Sequence, residues 1–273
     1  MASVLVFGAS GAVGRFLLPQ LRAAHRLFAV SRAVRAGPEW LRADLGGAGF
    51  AWPNADIVIS LGPLDAFAAW LEHARQPSLR RVIALSSMSA ESKRDSADPA
   101  ERALAARLRA AEAGVMETCA ERGIAATIFR PTLIYGAGSD RSLAPIARFA
   151  RRWHVLPLPL GATGLRQPVH AADLAAACAA VLDNPVTHGK TYELGGGEAL
   201  PFRTMLLRLR AGAGGYVLPV PVPRVLARIW PGARVGSAAL ARLHDALLAD
   251  NTAAMRDFGY APRAFRGRDV LPE

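Results

Sequence analysis

The stretch VLVFGASGAVGR, residues 4–15, confines the fold of this chain more than any other. Four apolar residues run without a break into glycines at positions 8, 11 and 14, and an apolar helical pattern follows. A strand ending in such a turn lets the backbone reverse tightly, lets a phosphate approach and seats the next helix close to the sheet. The helix start then offers unpaired N–H groups and a partial positive charge to an anion. Gly8, Ser10, Gly11, Ala12, Val13, Gly14 and Arg15 are therefore the candidate phosphate-loop contacts.

The rest of the first half keeps a matching rhythm. Apolar runs at 3–7, 27–30, near Leu41, 56–60, 81–86 and 126–129 alternate with helical spacing over 13–24, 64–74 and 99–122. Alternating strands and helices, with strands apolar on both faces, predict an α/β fold: a Rossmann-type, doubly wound parallel sheet. From about residue 153 the texture turns Pro- and Gly-rich, as in VLPLPLGATG and YVLPVPVPR, which predicts a smaller C-terminal lobe that takes the substrate. The expected division puts residues 1–155, with 166–196 returning, in the dinucleotide domain, and 156–165 with 197–273 in the lobe.

Composition narrows the partners. Hydrophobic residues make up 52% of the 273, enough to fill a core of this size. No stretch of about 18 residues lacks a charge or a breaker, so no spanning helix is expected. No basic leader precedes the first strand, and a cytoplasmic location is expected. The net charge of +11 raises nucleic acid as a partner. Lys93 and Lys190 are the only lysines, however, and the arginines are scattered among alanines without interleaved aromatics, so no nucleic acid is expected. Cys119 and Cys178 read as small buried hydrophobes in a reducing compartment, and no metal site is expected.

The second strand ends in Val30-Ser31-Arg32, where an Asp or Glu would accept hydrogen bonds from an adenosine ribose. A guanidinium there matches a 2′-phosphate, which an acid would repel. NADP is therefore expected over NAD, with Ser31, Arg32 and either Arg15 or Arg35 around the phosphate; a solvated arginine in an arginine-rich chain is the plain alternative. Asp44 and Leu45 close the third strand, where a carboxylate can accept the adenine amino group, and Asp44 as a simple turn former is the competing reading. Leu61 and Gly62 close the fourth strand and give access to the ribose, while Ser86 and Pro131 complete the candidate cofactor set.

With these pieces in place, residues 1–196 resemble the short-chain dehydrogenase/reductase superfamily in its extended, epimerase/dehydratase-like branch. The resemblance rests on GASGAVG at 8–14, the serine pair of VIALSSMS, FRPTLIYGAG at 129–138, RQPVHAADLA at 166–175 and TYELGG at 191–196. It implies hydride chemistry with a nicotinamide cofactor. It also implies a serine that holds the substrate oxygen, which Ser87 matches, and a Tyr-x-x-x-Lys pair on the long helix. Aligning Glu112 with the helix glutamate that precedes the Arg-Pro pair puts Leu104 and Leu108 at the tyrosine and lysine positions, and no shift of register supplies a tyrosine before Tyr135.

Tyr135 and His170 are the candidate replacements, each with a structural alternative: a tyrosine is usual in that loop, and His170 precedes a helix capped near Asp173. The reading is an NADP-preferring oxidoreductase or epimerase-like protein acting on a small molecule. Its rival is a non-catalytic dinucleotide-binding redox sensor or accessory subunit of a complex. A homodimer through the helix near 103–122 is an accompanying expectation, and VLPVPVPRVLARIW reads as a lobe helix lining the substrate pocket, with a protein or membrane contact as the alternative.

Overall fold

The computed structural model describes residues 1–47, 50–138, 140, 142–161, 163–213, 216–223 and 244–271. Its main sheet holds the strands β1 (Ser3–Phe7), β2 (Arg26–Ser31), β3 (Trp40–Arg42), β4 (Ile57–Ser60), β5 (Arg81–Leu85), β6 (Ala125–Pro131) and β11 (Lys190–Leu194). They are parallel and ordered β3-β2-β1-β4-β5-β6-β11, so the strand order reverses beside β1. This is the doubly wound arrangement that the alternating runs predict.

Leu5 and Phe7 of β1 face one side with Val58, Val82, Ala84, Ala126 and Ile128, and the helices α2 (Leu64–His73) and α4 (Pro99–Glu121) cover that side. Val4 and Val6, one residue out of phase, are buried on the opposite face, which α1 (Ala12–Arg22) serves. Period-two alternation with both faces buried is why these strands read as unbroken apolar runs.

The chain divides into two compact units. The first comprises Met1–Pro131, Leu174–Leu194 and Asn251–Tyr260; the second comprises Thr132–Asp173, Gly195–Asp250 and Ala261–Glu273. The second unit contains β7 (Ile134–Tyr135), α5 (Leu143–Trp153), β8 (Val155–Pro159), β9 (Leu165–Arg166), β10 (Val169–His170), β12 (Leu200–Pro201), α7 (Phe202–Ala213) and β13 (Leu218–Val222). Its core gathers Tyr135, Leu143, Ala147, Leu156, Met205, Leu209 and Phe265. α6 (Ala171–Ala180) begins in the second unit and passes into the first. The VLPVPVPRVLARIW segment is described only to Pro223, so its expected pocket-lining helix, like the alternative partner or membrane contact, lies outside the described residues.

Two polar clusters hold the first unit together. Arg81, 1% exposed at the start of β5, donates to the carbonyls of Val181 and Leu182 just past α6, to the Ala125 carbonyl and to the hydroxyls of Thr127 and Thr187, at 2.7–3.2 Å. The end of a helix presents unpaired carbonyls and a partial negative charge, so a guanidinium is held there without a carboxylate in contact. Burial lowers its pKa to about 10, which leaves it charged at neutral pH. At the sheet edge, α8 (Thr252–Phe258) brings Asp257 to Arg256 Nε at 2.8 Å, Lys190 Nζ at 2.8 Å and the Tyr192 hydroxyl at 2.7 Å. Those three donors hold the Asp257 carboxyl below the usual carboxylate range, Arg256 first.

Arg81→Met is expected to leave three carbonyls and two hydroxyls without this donor and to lower stability by about 3 kcal/mol or more, read from urea midpoints. The Asp257 carboxyl has a folded pKa below its unfolded one, so its stabilisation is present above roughly pH 4 and disappears as pH falls through the folded value. Asp257→Asn should therefore flatten the acid side of the stability–pH curve; an unchanged curve would count against this cluster.

Candidate functional site

The candidate cofactor residues all belong to the first unit and stand at the C-terminal ends of neighbouring strands. Gly8 to Arg15 form the turn from β1 into α1, Ser31 to Arg35 follow β2, Asp44 and Leu45 follow β3, and Leu61 and Gly62 follow β4. Ser86 and Ser87 follow β5, and Pro131 closes β6. Six consecutive strands in space thus present their ends along one edge beside the order reversal, where open α/β sheets bind ligands.

The glycines are required by close approach. Gly8 has φ +69°, and a Cβ on it would lie 2.9 Å from the Gly62 amide nitrogen. A Cβ on Gly14 would lie 2.1 Å from the Ala9 carbonyl oxygen, which is how tightly α1 packs on its own turn. Gly11 is the N-cap of α1; no side chain caps the helix, and its first turn carries no acid. Its N-terminus therefore keeps its positive end for an external anion. A Cβ on Gly62 would meet nothing within 4 Å, so the space above the β4 turn is open. Uncapped amides, a glycine turn and open backbone fit the pyrophosphate and ribose of a dinucleotide.

Around the expected 2′-phosphate position, Ser31 is buried and its Oγ accepts the Ala33 N–H at 3.2 Å, which orders the turn after β2. Arg15 and Arg32 are exposed and make no hydrogen bond or ion pair among the described residues. Arg35 lies over the Trp40 ring, 5.2 Å from its centroid. Asp44 closes a turn: its carboxylate accepts the Gly46 N–H at 3.4 Å, and its carbonyl the Gly47 N–H at 3.0 Å.

At the ends of β5 and β6 a buried carboxylate organises the hydroxyls. Glu112 of α4 accepts two bonds from Arg130 Nε, at 3.0 and 3.1 Å, one from Arg130 Nη2, and one from the Ser86 hydroxyl. Arg130 also reaches Glu91 at 2.9 Å, and the Glu112 bond raises its pKa. This pair fixes α4 against the sheet and commits Ser86 to a structural bond. Ser87 is half-buried; its Oγ accepts the Ser89 N–H at 3.1 Å, so its own proton remains to donate to a substrate oxygen.

Leu104 and Leu108 lie two turns and one turn before Glu112 on the same α4 stripe, both half-buried. α4 contains no tyrosine or lysine. Lys93 follows α3 (Ser89–Ser92) and pairs with Glu101 at 3.6 Å.

Tyr135 belongs to the second unit. Its ring is fully buried, edge-on to His170 at 5.1 Å and to Phe265 at 4.9 Å. Its hydroxyl lies close to the Arg266 peptide N–H but short of hydrogen-bond geometry, and burial raises its pKa to about 12. A phenol so placed stays protonated throughout the neutral range. His170 Nδ1 accepts the Ala172 N–H at 3.1 Å at the start of α6. Asp173, expected at the cap, lies in the first helical turn and binds Arg263 instead, at 2.8 and 3.0 Å.

Residues 64–195 match the profile of the NAD dependent epimerase/dehydratase family. That match takes in 132 of the 273 residues. Its fold is shared with MoeE5 in complex with UDP-glucose and NAD, at TM-score 0.75 and 21% identity over 98% of this chain and 96% of that one. RMD from Pseudomonas aeruginosa, complexed with NADPH, gives TM-score 0.69 and 18% identity over 99% and 97%. These neighbours share the Rossmann-type fold that the sequence motifs imply. The chain is also 37% identical over 123 residues to NADH dehydrogenase (ubiquinone) 1 alpha subcomplex subunit 9, mitochondrial, of Arabidopsis thaliana. That match covers 43% of this chain and 29% of the relative, so the chain spans less than a third of the curated relatives it matches.

Sequence reasoning missed Arg81, Trp40 and Arg42. A lone arginine opening an apolar strand was the one local sign of the first; the others depend on the β2–β3 register. Among the described residues, no group of three or more acidic, histidine or cysteine side chains is placed to hold a metal, and no helix is long and apolar enough to cross a membrane.

Gly14→Ala is expected to destabilise the first unit by about 1–3 kcal/mol, because backbone must move to admit the methyl. Gly62→Ala should stay within about 0.5 kcal/mol of the parent in the same urea titration.

Proposed function

We propose that the first unit binds a dinucleotide and prefers NADP(H), and that the chain serves as an accessory, dinucleotide-holding subunit of a larger NADH dehydrogenase-like assembly. The observation that carries the cofactor preference is Arg32, exposed and without a partner among the described residues at the end of β2, where an NAD-selective site would carry an acid. In this reading the α1 turn from Gly8 to Arg15 holds the pyrophosphate, Ser31, Arg32 and Arg35 hold the 2′-phosphate, Asp44 and Leu45 border the adenine, and Leu61, Gly62, Ser86 and Pro131 border the ribose and nicotinamide. NAD is the alternative cofactor.

Two features support the accessory role. If Leu104 and Leu108 occupy the positions of the family's tyrosine and lysine, the α4 stripe carries isobutyl groups where proton transfer needs titratable ones. The Arabidopsis relative is named as an NADH dehydrogenase subunit.

The Ser87 hydroxyl favours a second reading, an oxidoreductase or epimerase-like enzyme acting on a small molecule. When bound, a nicotinamide supplies hydride transfer. Ser87 would then orient a substrate oxygen with water as the proton source, at a rate lower by about 10² to 10⁴ without a positioned acid. Tyr135 enters this reading only through its protonated form. In either case the two buried, free cysteines suit a reducing compartment such as the cytoplasm. The expected lobe at 156–165 and 197–273 would carry substrate or partner recognition, and a homodimer through α4 is a further arrangement to test.

Titration with NADP, NADPH, NAD and NADH, followed by tryptophan fluorescence, tests the cofactor reading. Arg32→Ala should weaken the phosphorylated pair by about tenfold or more and leave the others unchanged, as expected for a lost charge-assisted contact. No binding of any dinucleotide would overturn it. Constant nicotinamide absorbance with bound NADPH and a carbonyl panel, in wild type and Ser87→Ala alike, is expected of the accessory role; Ser87-dependent oxidation would establish the enzyme.

A further inference from the structure

The arginines near the ends of β2 and β3 are held in different ways. Val30 pairs with Leu41 across these strands, and both pack into the core under α2 and α4. The flanking pairs, Ala29 with Trp40 and Ser31 with Arg42, therefore stand on the opposite face of the sheet. Arg42 is thus placed beside Ser31 although eleven positions separate them in sequence. It is exposed and, like Arg32, makes no hydrogen bond or ion pair among the described residues.

The two acids of this stretch are occupied. Glu39 pairs with Arg22, and Asp44 closes its turn against the Gly46 N–H at 3.4 Å. Arg35 instead rests on the Trp40 ring at 5.2 Å. An acid partner would neutralise that guanidinium and occupy its donors. An aromatic face restrains the plane while leaving the N–H edge open to a bidentate anion, so less side-chain freedom is lost when a phosphate arrives.

We propose that Trp40 is a positioning residue for Arg35 and that Arg42 is a further phosphate contact, so that Ser31, Arg32, Arg35 and Arg42 grip one dianionic phosphomonoester on the Trp40 platform. This rests on the NADP reading above and names residues of that same subsite which set its selectivity.

Calorimetric titration of the full chain with adenosine 2′,5′-bisphosphate and with 5′-AMP isolates the subsite, and NADPH against NADH repeats the comparison in the whole cofactor. Trp40→Leu is expected to weaken the bisphosphate by about two- to fivefold, the range of an exposed cation–π contact, with Trp40→Phe restoring most of it. Arg42→Ala should weaken it by about tenfold, as for one hydrogen bond to a charged group. 5′-AMP and NADH should be unaffected, a separation that a merely structural role of Trp40 would not produce. If Trp40→Leu does not fold, Arg35→Leu reports on the same contact and should show at least the same selective loss. Unchanged bisphosphate-to-AMP ratios in Trp40→Leu (or Arg35→Leu) and Arg42→Ala, with the ratio lost in Arg32→Ala, would overturn this proposal and leave the NADP reading standing. A wild type that does not distinguish the bisphosphate from 5′-AMP would overturn both.

Discussion

A buried positive charge without a carboxylate in contact lies at the base of the main sheet, and the layout of the first unit follows from how it is satisfied. Arg81 is enclosed where β5 begins, and its donors need acceptors from several directions. The carbonyls beyond α6, the start of β6 and the two threonines supply them. One guanidinium thereby ties a helix end and a short turn at 185–187 to the edge onto which β11 adds. Removing the charge alone would strand the carbonyls, so the arrangement persists as a set.

The opposite end of the same sheet is built on the reverse principle. At the base the polar groups satisfy one another; at the C-terminal edge many are left unpaired among the described residues, including the α1 amides, the Ser87 proton and the guanidinia of Arg15, Arg32 and Arg42. Glu112 and Arg130 mark the border between the regimes, since their mutual bonds lock α4 and Ser86 while leaving Ser87 available. A rigid base and an unsaturated rim are what a dinucleotide-holding domain requires, whether or not turnover follows.

Much of this was legible from local sequence because the determinants are local. Strands buried on both faces leave apolar runs, and the glycine turn is dictated by a methyl group that would collide within the same turn. The spacing of Glu112 and Arg130 was read through resemblance, and the structure joins them. What escaped depends on register or on distant chain. Arg42 comes to lie beside Ser31 only once β3 is aligned on β2, which also sets the place of Trp40. The passage into the second unit after Pro131 has no compositional mark, because β6 leads within three residues into β7. The Asp257 cluster joins α8 to β11 across more than sixty residues, which no periodicity encodes.

That last connection bears on how the molecule is made. The first unit is discontinuous: its edge strand at 190–194 receives the aspartate that binds Lys190 and Tyr192 only from residue 257. During vectorial synthesis at roughly 5–20 residues per second, most of the sheet can assemble while the chain is still emerging, yet this edge waits until residue 257 has been made. Until then β11 is held by β6 alone, with Tyr192 and Phe129 lacking the ring of Phe258 that finally packs on both. The nascent protein passes through a stage in which its β1–α1 glycine turn is complete while its far edge is unfinished.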